Sequence, residues 1–397
     1  MTGQVVTYPK PTRWSPTDHH QSDRDTEYGR RILILTAEIG AGHISTAWAL
    51  KNRLEQEDGS VRVHIDEPIQ RVPAFSRLPR LYRFMTAYLP MIWALFYYSR
   101  KIKLVRNLYS RFIRHRLRSA FEEYDLKQYH TVIITYSMYC NCIARFTDAK
   151  VRTVVLVTDL FGGPQEWFTP GADRYVVPTT YMAAMARNCD IDPERILLRR
   201  LPTLVADTSA KPNWSANRRS ALRILVIGGS EGLGPLKAAA TGILRSQRPA
   251  SVTVVCGNNV RLQKRLQRSS ALACGFVSGV ATTYQHYDLV VTKPGSVTLM
   301  ELFQQNVPFV LLPGIPGIEA GNTRLFKRLQ LPRIRSLREA RLMPNKLVNG
   351  DLSLSALGTT WVDELRKTRD ALPTDYLTIE EASPTPTPTY RVARLTA

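Results

Sequence analysis

Short apolar runs separated by polar or glycine-bearing segments recur along the chain and predict buried strands. The run Ile32–Thr36 leads into a glycine-bearing loop and then an amphipathic helical pattern. Further runs of the same kind lie at 61–68, 131–137, 152–159 and 174–179. Strands that alternate with helices are typical of a parallel sheet with helices on both faces. The first half of the chain is therefore predicted to be an α/β domain.

The same order of elements begins again near residue 222. A strand, a glycine loop and a helix precede a strand at 251–259 and a basic helix at 260–268. Three more strands are predicted at 274–279, 288–296 and 308–314. Polar composition marks the remaining segments as linker and tails. We therefore expect disordered tails, two domains and a linker, with the bounds 1–29 (tail), 30–205 (first domain), 206–221 (linker), 222–382 (second domain) and 383–397 (tail).

Composition narrows the classes of partner and compartment. The 397 residues carry a net charge of +21, which favours polyanions such as nucleic acid, nucleotide phosphates or an anionic membrane. The five scattered cysteines are typical of structural thiols in a reducing compartment. The longest nearly apolar run, Phe84–Tyr98, has 15 residues, whereas a membrane-spanning helix needs about 20. Residues 1–29 are polar, so we expect no signal peptide.

The segment 71–118 is basic and rich in aromatic residues. It contains twelve Lys or Arg residues and no Asp or Glu. Helical spacing puts one set of cations on a single stripe: Arg100, Lys103, Arg111, Arg114 and Arg118. This composition is typical of a helix that lies in a membrane interface, and Tyr88, Trp93, Arg100 and Lys103 are its predicted contacts with anionic lipid or a lipid acceptor. A nucleic-acid surface and an ordinary core helix with a solvated basic face are the alternatives. We expect no specific nucleic-acid partner.

The glycine loop at Gly228–Gly234 follows a strand and precedes a helix. Its glycines allow close approach of the backbone to a ligand, and the helix start favours a phosphate. The spacing is neither that of a dinucleotide fingerprint nor that of a Walker loop. A tight turn with packing glycines is the alternative. The candidate donor-binding residues of this loop are Gly229, Ser230, Gly232 and Gly234.

A second loop, Lys-Pro-Gly-Ser at 293–296, also opens a helix after a strand. Two such loops in one domain favour a diphosphate between them, and a carboxylate one turn into the helix suits a ribose diol. A third loop, 314–322, carries a carboxylate and an amide, which suit sugar hydroxyls. These residue types together predict a nucleotide-sugar site. Its further candidate residues are Lys293, Gly295, Ser296, Thr298, Glu301, Glu319 and Asn322.

Four segments carry a resemblance to a known family: LILTAEIGAGH, GGSEGLGPLKAAATGIL, CGNNVRLQKRL and VTKPGSVTLMELFQQNVPFVLLPGIPGIEAGN. They resemble the monogalactosyldiacylglycerol synthase and processive diacylglycerol glycosyltransferase family, which is similar to the glucosaminyltransferase that forms lipid II. The resemblance implies the GT-B fold, with two Rossmann-like domains facing a central cleft. It implies inverting transfer of a hexose from a UDP-sugar to a lipid acceptor, most simply diacylglycerol, by a peripheral protein on the inner, cytoplasmic face of the cell membrane.

The resemblance also implies catalytic residues. His43 matches the histidine of the family's glycine-rich loop, a candidate general base, and Asp159 matches a family aspartate that orients the base or the acceptor. Departures at Ala41, Ile44 and Pro164 fall on the acceptor side. No Asp-x-Asp follows a predicted strand, so we expect no cofactor and no essential metal. A polyprenyl-type or other acceptor, an inactive lipid-binding GT-B protein and a nucleotide-sugar epimerase remain alternatives.

Overall fold

The computed structural model describes residues 29–349, apart from 74, 76, 206–219, 329 and 330, together with Thr368 and Tyr376. The predicted tails, except residue 29, and nearly all of the predicted linker lie outside the described residues. The predicted domain boundaries therefore stay predictions.

The N-terminal sheet has six parallel strands in the order β2-β1-β3-β4-β5-β6. They are β1 (Arg30–Leu35), β2 (Val61–Asp66), β3 (Thr131–Ile134), β4 (Arg152–Leu156), β5 (Arg174–Val177) and β6 (Ile196–Leu198). Side chains alternate between the faces, so that Leu33 and Leu35 enter one apolar cluster whereas Ile32 and Ile34 enter another. Burial on both faces explains the nearly continuous apolar runs of the sequence.

Helices connect these strands and cover the sheet. They are α1 (Ala41–Glu57), α2 (Leu78–Tyr88), α3 (Pro90–Ser99), α4 (Lys103–Glu122), α5 (Ile143–Asp148) and α6 (Thr180–Arg187). The basic segment forms α2, α3 and α4 rather than one continuous helix. Pro90, which has no N–H to donate, opens α3, and Arg100 lies between α3 and α4. The predicted stripe through Arg100 is therefore wrong at that residue. No helix of the described residues is long and apolar enough to cross a bilayer.

The C-terminal sheet has five parallel strands in the order β11-β10-β7-β8-β9. They are β7 (Leu222–Ile227), β8 (Ala250–Val255), β9 (Leu272–Cys274), β10 (Leu289–Thr292) and β11 (Phe309–Leu311). The helices are α7 (Leu236–Leu244), α8 (Val260–Leu266), α9 (Ser296–Gln304), α10 (Ala320–Arg328) and α11 (Leu337–Val348). The predicted strand at 274–279 is wrong in its position: pairing with β8 ends at Cys274, and Gly279 adopts a left-handed turn conformation.

Each sheet reverses its strand order at one point, and ligands of open parallel sheets bind at such points. The reversal lies between β1 and β3 in the first sheet and between β7 and β10 in the second. The two domains also share an apolar cluster, in which Leu160 and Phe161 of the first domain pack with Val297 and Phe326 of the second. The loops at the carboxyl ends of both sheets therefore lie close to each other.

Candidate active site

The loops after β7 and β10 meet because these strands pair at the reversal, with Ile227 opposite Thr292. Gly229 has a φ of 73°, and a Cβ there would lie 2.9 Å from Cε of Lys293. Only glycine combines this conformation with this close approach. The lysine side chain thus lies along the glycine loop, between Gly229 and Gly295. The structure brings together the two loops that were predicted from the sequence to bind a diphosphate.

The loop between β11 and α10 is bonded to the same turn. Lys293 forms an ion pair with Glu319, whose other oxygen, Oε2, accepts a hydrogen bond from the N–H of Ile315 at 2.8 Å. Asn322 donates to the carbonyl of Pro294 at 2.8 Å and to Oγ of Ser296 at 3.3 Å. Four predicted donor residues, Lys293, Ser296, Glu319 and Asn322, therefore lie together in one cluster.

Glu301, which is predicted to contact a ribose diol, lies in the interior of the domain. Its side chain is buried, Oε2 accepts a 3.4 Å hydrogen bond from the hydroxyl of Tyr284, and burial raises the pKa of its carboxyl to about 8. Thr298 also hydrogen-bonds the Tyr284 side chain. The structure places the carboxyl of Glu301 against Tyr284 of the domain core. Contact of Glu301 with a ribose stays a prediction.

His43 begins α1 next to the ends of β3 and β4. Its Nδ1 lies 2.9 Å from Oγ1 of Thr158, and its ring packs edge-on against Tyr136 at 5.1 Å between centroids. The ring also hydrogen-bonds the backbone of Thr135. Burial lowers the pKa of His43 to about 4, so the ring is neutral at pH 7. A neutral imidazole already engaged by two protein groups is a weak proton acceptor.

Asp159 follows β4 and combines a raised pKa with a defined hydrogen bond. Trp167 donates from Nε1 to Oδ2 of Asp159 at 2.7 Å. Burial raises the pKa of Asp159 to about 6; the Trp167 bond opposes the shift, and the negative charge of Glu319 adds to it. Asp159 of the first domain therefore faces the loop of Glu319 in the second. A carboxylate with a pKa near 6 is suited to general-base catalysis at neutral pH.

Direct contacts join the two domains around these groups. The N–H of Ala41 donates to Oγ of Ser230 at 3.2 Å, and the N–H of Phe161 donates to Oδ1 of Asn322 at 3.2 Å. A Cβ at Gly321 would overlap the carbonyl of Phe161, so glycine permits the backbones to touch. Two residues predicted for donor binding, Ser230 and Asn322, thus also hold the cleft together.

The helices α2 and α3, here called the hairpin, reach across the cleft. Arg83 pairs with Glu231 of the glycine loop, and Arg261 donates to the hydroxyl of Tyr88 at 3.4 Å. The ring of Tyr97 packs against Gly317, where a Cβ would lie 2.9 Å from the ring. Sequence reasoning missed these cross-domain roles, because an amphipathic pattern identifies an apolar face but does not identify its partner.

Tyr82 of the hairpin is a further residue that sequence reasoning placed only on a basic helix. It is nearly buried, with its ring 5.3 Å from that of Trp93. Burial raises its pKa, and the carboxylates of Glu319, Glu231 and Asp159 raise it further. The phenol is therefore withdrawn from solvent, and its charge state is coupled to carboxylates of both domains.

The predicted membrane residues divide into two groups. Tyr88 is 62% exposed and Lys103 is exposed, as expected for surface contacts. Trp93 is half-buried, and among the described residues its Nε1 has no hydrogen-bond partner. Arg100 departs from the prediction: it pairs with Glu166 at 3.3 Å and lies over aromatic rings, among them Tyr109 at 5.0 Å. The residue lies between two helices and turns inward to a carboxylate, so it is not available to headgroups.

A cavity of about 210 Å³ lies between the domains beside the hairpin. From the first domain, Tyr98 of α3, Lys101 of the turn after it, Gly163 and Tyr181 of α6 line it. Arg324 lines it from α10 of the second domain. The cleft thus has room for a small group beside the loop that follows Asp159, because Gly162, Gly163 and Pro164 of that loop belong to the lining.

Comparison with known proteins supplies the family context of this geometry. Residues 43–202 match the family model of monogalactosyldiacylglycerol (MGDG) synthase, and residues 223–317 match the glycosyltransferase family 28 C-terminal domain. The chain is 25% identical over 327 residues to the chloroplastic monogalactosyldiacylglycerol synthase of Spinacia oleracea, across 75% of this chain and 62% of that protein. It is 26% identical over 316 residues to the processive diacylglycerol beta-glucosyltransferase of Bacillus cereus (strain G9842), across 75% of this chain and 80% of that protein.

The chain spans about three fifths of the length of the plant relatives it matches. Among solved structures, the spinosyn rhamnosyltransferase SpnG is similar with a TM-score of 0.55 at 13% identity, covering 86% of this chain and 97% of that one. A glycotransferase of kitacinnamycin reaches 0.52 at 12% identity, covering 86% and 96%. The GT-B fold and the family resemblance predicted from the motifs are confirmed.

Proposed function

We propose that this chain, which matches the MGDG synthase family model over residues 43–202 and the glycosyltransferase family 28 C-terminal model over residues 223–317, moves a hexose from a UDP-sugar to a membrane lipid, with inversion at the anomeric carbon. The acceptor we propose is diacylglycerol, as in the names of the spinach and Bacillus relatives. One observation carries the proposal: Lys293, Glu319 and Asn322 cluster in the second domain, and Asn322 accepts a hydrogen bond from the N–H of Phe161, two residues after Asp159 of the first.

The donor half of the reaction needs positive charge at the departing UDP. Lys293 between the two glycine-bearing loops supplies a full charge, and the starts of α7 and α9 add the partial charges of their free N–H groups. The proposal includes no cofactor and no metal. Transfer is therefore expected to proceed at an unchanged rate in the presence of EDTA, and a loss that Mg²⁺ or Mn²⁺ restores would refute this part.

The acceptor half needs a base for the lipid hydroxyl. We assign this role to Asp159, which is about nine-tenths ionised at pH 7 for a pKa of about 6. His43 is neutral and bonded to Thr158, so in this proposal it orients the loop beside the acceptor. The motif alone had favoured His43 as the base, and the hydrogen bonds around its ring are the reason for the change.

The lipid acceptor requires access to a bilayer, and the surface of α2, α3 and α4 is suited to it. Its exposed apolar side chains include Met91 at 74% and Leu95 at 72% exposure, and the others are Leu81, Phe84, Tyr88, Leu89, Ile92, Phe96, Ile102, Leu104, Leu108 and Phe112. Exposed cations lie on α4: Lys103, Arg111, Arg114 and Arg118. We propose that this surface lies on an anionic membrane, on the cytoplasmic, inner face of the cell membrane.

Vesicle sedimentation tests the membrane part. Met91→Glu with Leu95→Glu is expected to lower binding to vesicles of phosphatidylglycerol and phosphatidylcholine at least tenfold, because two charges replace inserted apolar groups. Leu272→Glu is the matched control, since Leu272 is 64% exposed on the C-terminal sheet. Equal loss in both variants, or no loss in the double variant, would refute the proposed surface.

The reaction itself is tested by transfer of labelled sugar from UDP-glucose and UDP-galactose to diacylglycerol in anionic liposomes. A labelled glycolipid is the expected product, and the donor that supplies it identifies the hexose. Bound UDP without product would refute diacylglycerol as the acceptor and favour a polyprenyl-type lipid. Absence of both product and UDP binding would refute the enzyme and leave an inactive lipid-binding protein.

A further inference from the structure

The ion pair between Lys293 and Glu319 is unusually secluded for a pair of charged groups. The lysine side chain is 17% exposed and that of the glutamate 6%. Charged groups withdrawn from water need a partner, and removal of one partner leaves the other uncompensated. In the structure, each group is therefore the other's counter-ion.

The position of Lys293 conflicts with that pairing once a donor binds. The ammonium lies between Gly229 and Gly295, where the proposed function puts the diphosphate. Glu319 is in hydrogen-bond contact with the same ammonium, so an entering diphosphate meets a neutralised lysine and a nearby carboxylate. Like charges at such distances repel strongly where water is partly excluded. UDP and the Glu319 carboxylate therefore compete for Lys293.

A UDP-sugar differs from UDP in this competition because, besides the ribose diol that both share, it carries the hydroxyls of the sugar, which can donate to a carboxylate. Glu319 is the last residue before α10. The start of α10 borders the cleft beside Asp159, because Asn322 and Gly321 contact Phe161, and the proposed function puts the sugar of a bound donor there. The N–H of Ile315 stays on Oε2 of Glu319, which leaves Oε1 as the oxygen that changes partner. Hydrogen bonds from the sugar hydroxyls thus compensate Glu319 for the loss of Lys293, whereas UDP alone lacks these hydroxyls.

We propose that Glu319 and the donor diphosphate exchange at Lys293 during each turnover. With UDP-sugar bound, Lys293 pairs with the diphosphate and Glu319 accepts hydrogen bonds from the sugar. After transfer the sugar is gone, Glu319 returns to Lys293, and UDP is displaced. Glu319 is thereby a built-in competitor that favours UDP-sugar over UDP and speeds product release. This inference rests on the proposed function.

Affinity for UDP, measured by calorimetry on the full chain without acceptor, tests the exchange. Glu319→Gln keeps an oxygen for the N–H of Ile315 but removes the charge, so UDP is expected to bind about tenfold tighter. Lys293→Met is expected to weaken UDP at least tenfold. In the Lys293→Met background, Glu319→Gln is expected to tighten UDP by about threefold at most, because the competition for Lys293 is gone and only the repulsion between Glu319 and the diphosphate is left to remove.

Glu231→Gln is the matched control. It removes a carboxylate from the glycine loop itself, but one that pairs with Arg83 rather than with Lys293, and the expected change in UDP affinity is below threefold. In steady-state assays the inhibition constant of UDP is expected to fall about tenfold in Glu319→Gln, together with a lower kcat from slower release. Melting temperatures verify that each variant is folded.

The outcomes separate the exchange from the function on which it rests. Unchanged or weaker UDP binding in a folded Glu319→Gln variant overturns the exchange. A tightening of the same size without Lys293, or an equal tightening in Glu231→Gln, also overturns it. In those cases the wild-type protein still binds UDP and the proposed function stands. Absence of UDP binding by the wild-type protein removes both.

Discussion

Replacement of Trp167 by Phe is expected to move the acidic limb of the pH–rate profile, because Trp167 stabilises the ionised form of Asp159. The indole N–H lies 2.7 Å from Oδ2, and a hydrogen bond to a charged group contributes about 1.5–3 kcal/mol. At 1.36 kcal/mol per pKa unit, its loss raises the pKa of Asp159 by about 1–2 units. The limb in kcat/KM is then expected to move from about 6 to between about 7 and 8.

The profile of kcat/KM between pH 5 and 9 measures this shift. For a pKa near 7.5, activity at pH 6.5 falls about eightfold relative to wild type while activity at pH 9 is nearly retained. Trp167 is fully buried, so the variant also leaves a void. Phe168→Leu is the control, because it disturbs a second buried residue of the same short 3₁₀ helix, Gln165–Phe168, and leaves the Trp167 hydrogen bond to Asp159 in place. An unmoved limb in folded Trp167→Phe, or an equal shift in Phe168→Leu, would refute the assignment of Asp159 as the base.

Three further predictions concern single groups. Asp159→Asn is expected to lower kcat at least a hundredfold and His43→Gln less than tenfold; the reverse order would restore His43 as the base. Glu301 keeps its proton up to about pH 8 in the folded protein but loses it near pH 4.5 in the unfolded chain. Its contribution to the free energy of unfolding therefore falls as the pH rises from 4.5 to 8, by up to about 1.4 kcal/mol per pH unit. Urea unfolding at pH 5 and 8 should show a smaller fall for Glu301→Gln, and equal falls would contradict the burial argument. Gly321→Ala is expected to cost about 1–3 kcal/mol and most of the activity, with Gly59→Ala, which has open space, as the unaffected control.

The sequence was sufficient for the sheets and for much of the donor cluster. Buried strands of a parallel sheet have continuous apolar runs, and their carboxyl ends meet at one edge, so polar residues after such runs can be placed together without a structure. Lys293, Ser296, Glu319 and Asn322 were found in this way, and their hydrogen bonds join them as a cluster. Their contact with a ligand stays a prediction.

Sequence reasoning failed where a side chain contacts a residue that is distant in the sequence. Arg100 has the spacing of a surface cation, but it pairs with Glu166, 66 positions away, and this choice depends on where the 165–168 turn lies. Tyr82 has the spacing of an apolar helix face, but the charge state of its phenol is coupled to carboxylates from both domains. Helical periodicity shows which face of a helix a residue lies on, but it does not show what packs against that face. The local sequence therefore predicts neither of these contacts.

The hairpin has a thermodynamic consequence of its own. It carries the exposed apolar surface on one side, and on the other it holds the glycine loop through Arg83 and the loop of Gly317 through Tyr97. Coupling between two binding equilibria is reciprocal. If membrane contact changes the affinity for UDP-sugar by some factor, bound UDP-sugar changes the affinity for the membrane by the same factor. The time that a molecule spends on the bilayer would then follow the supply of nucleotide sugar in the surrounding solution, with no second protein needed to recruit it.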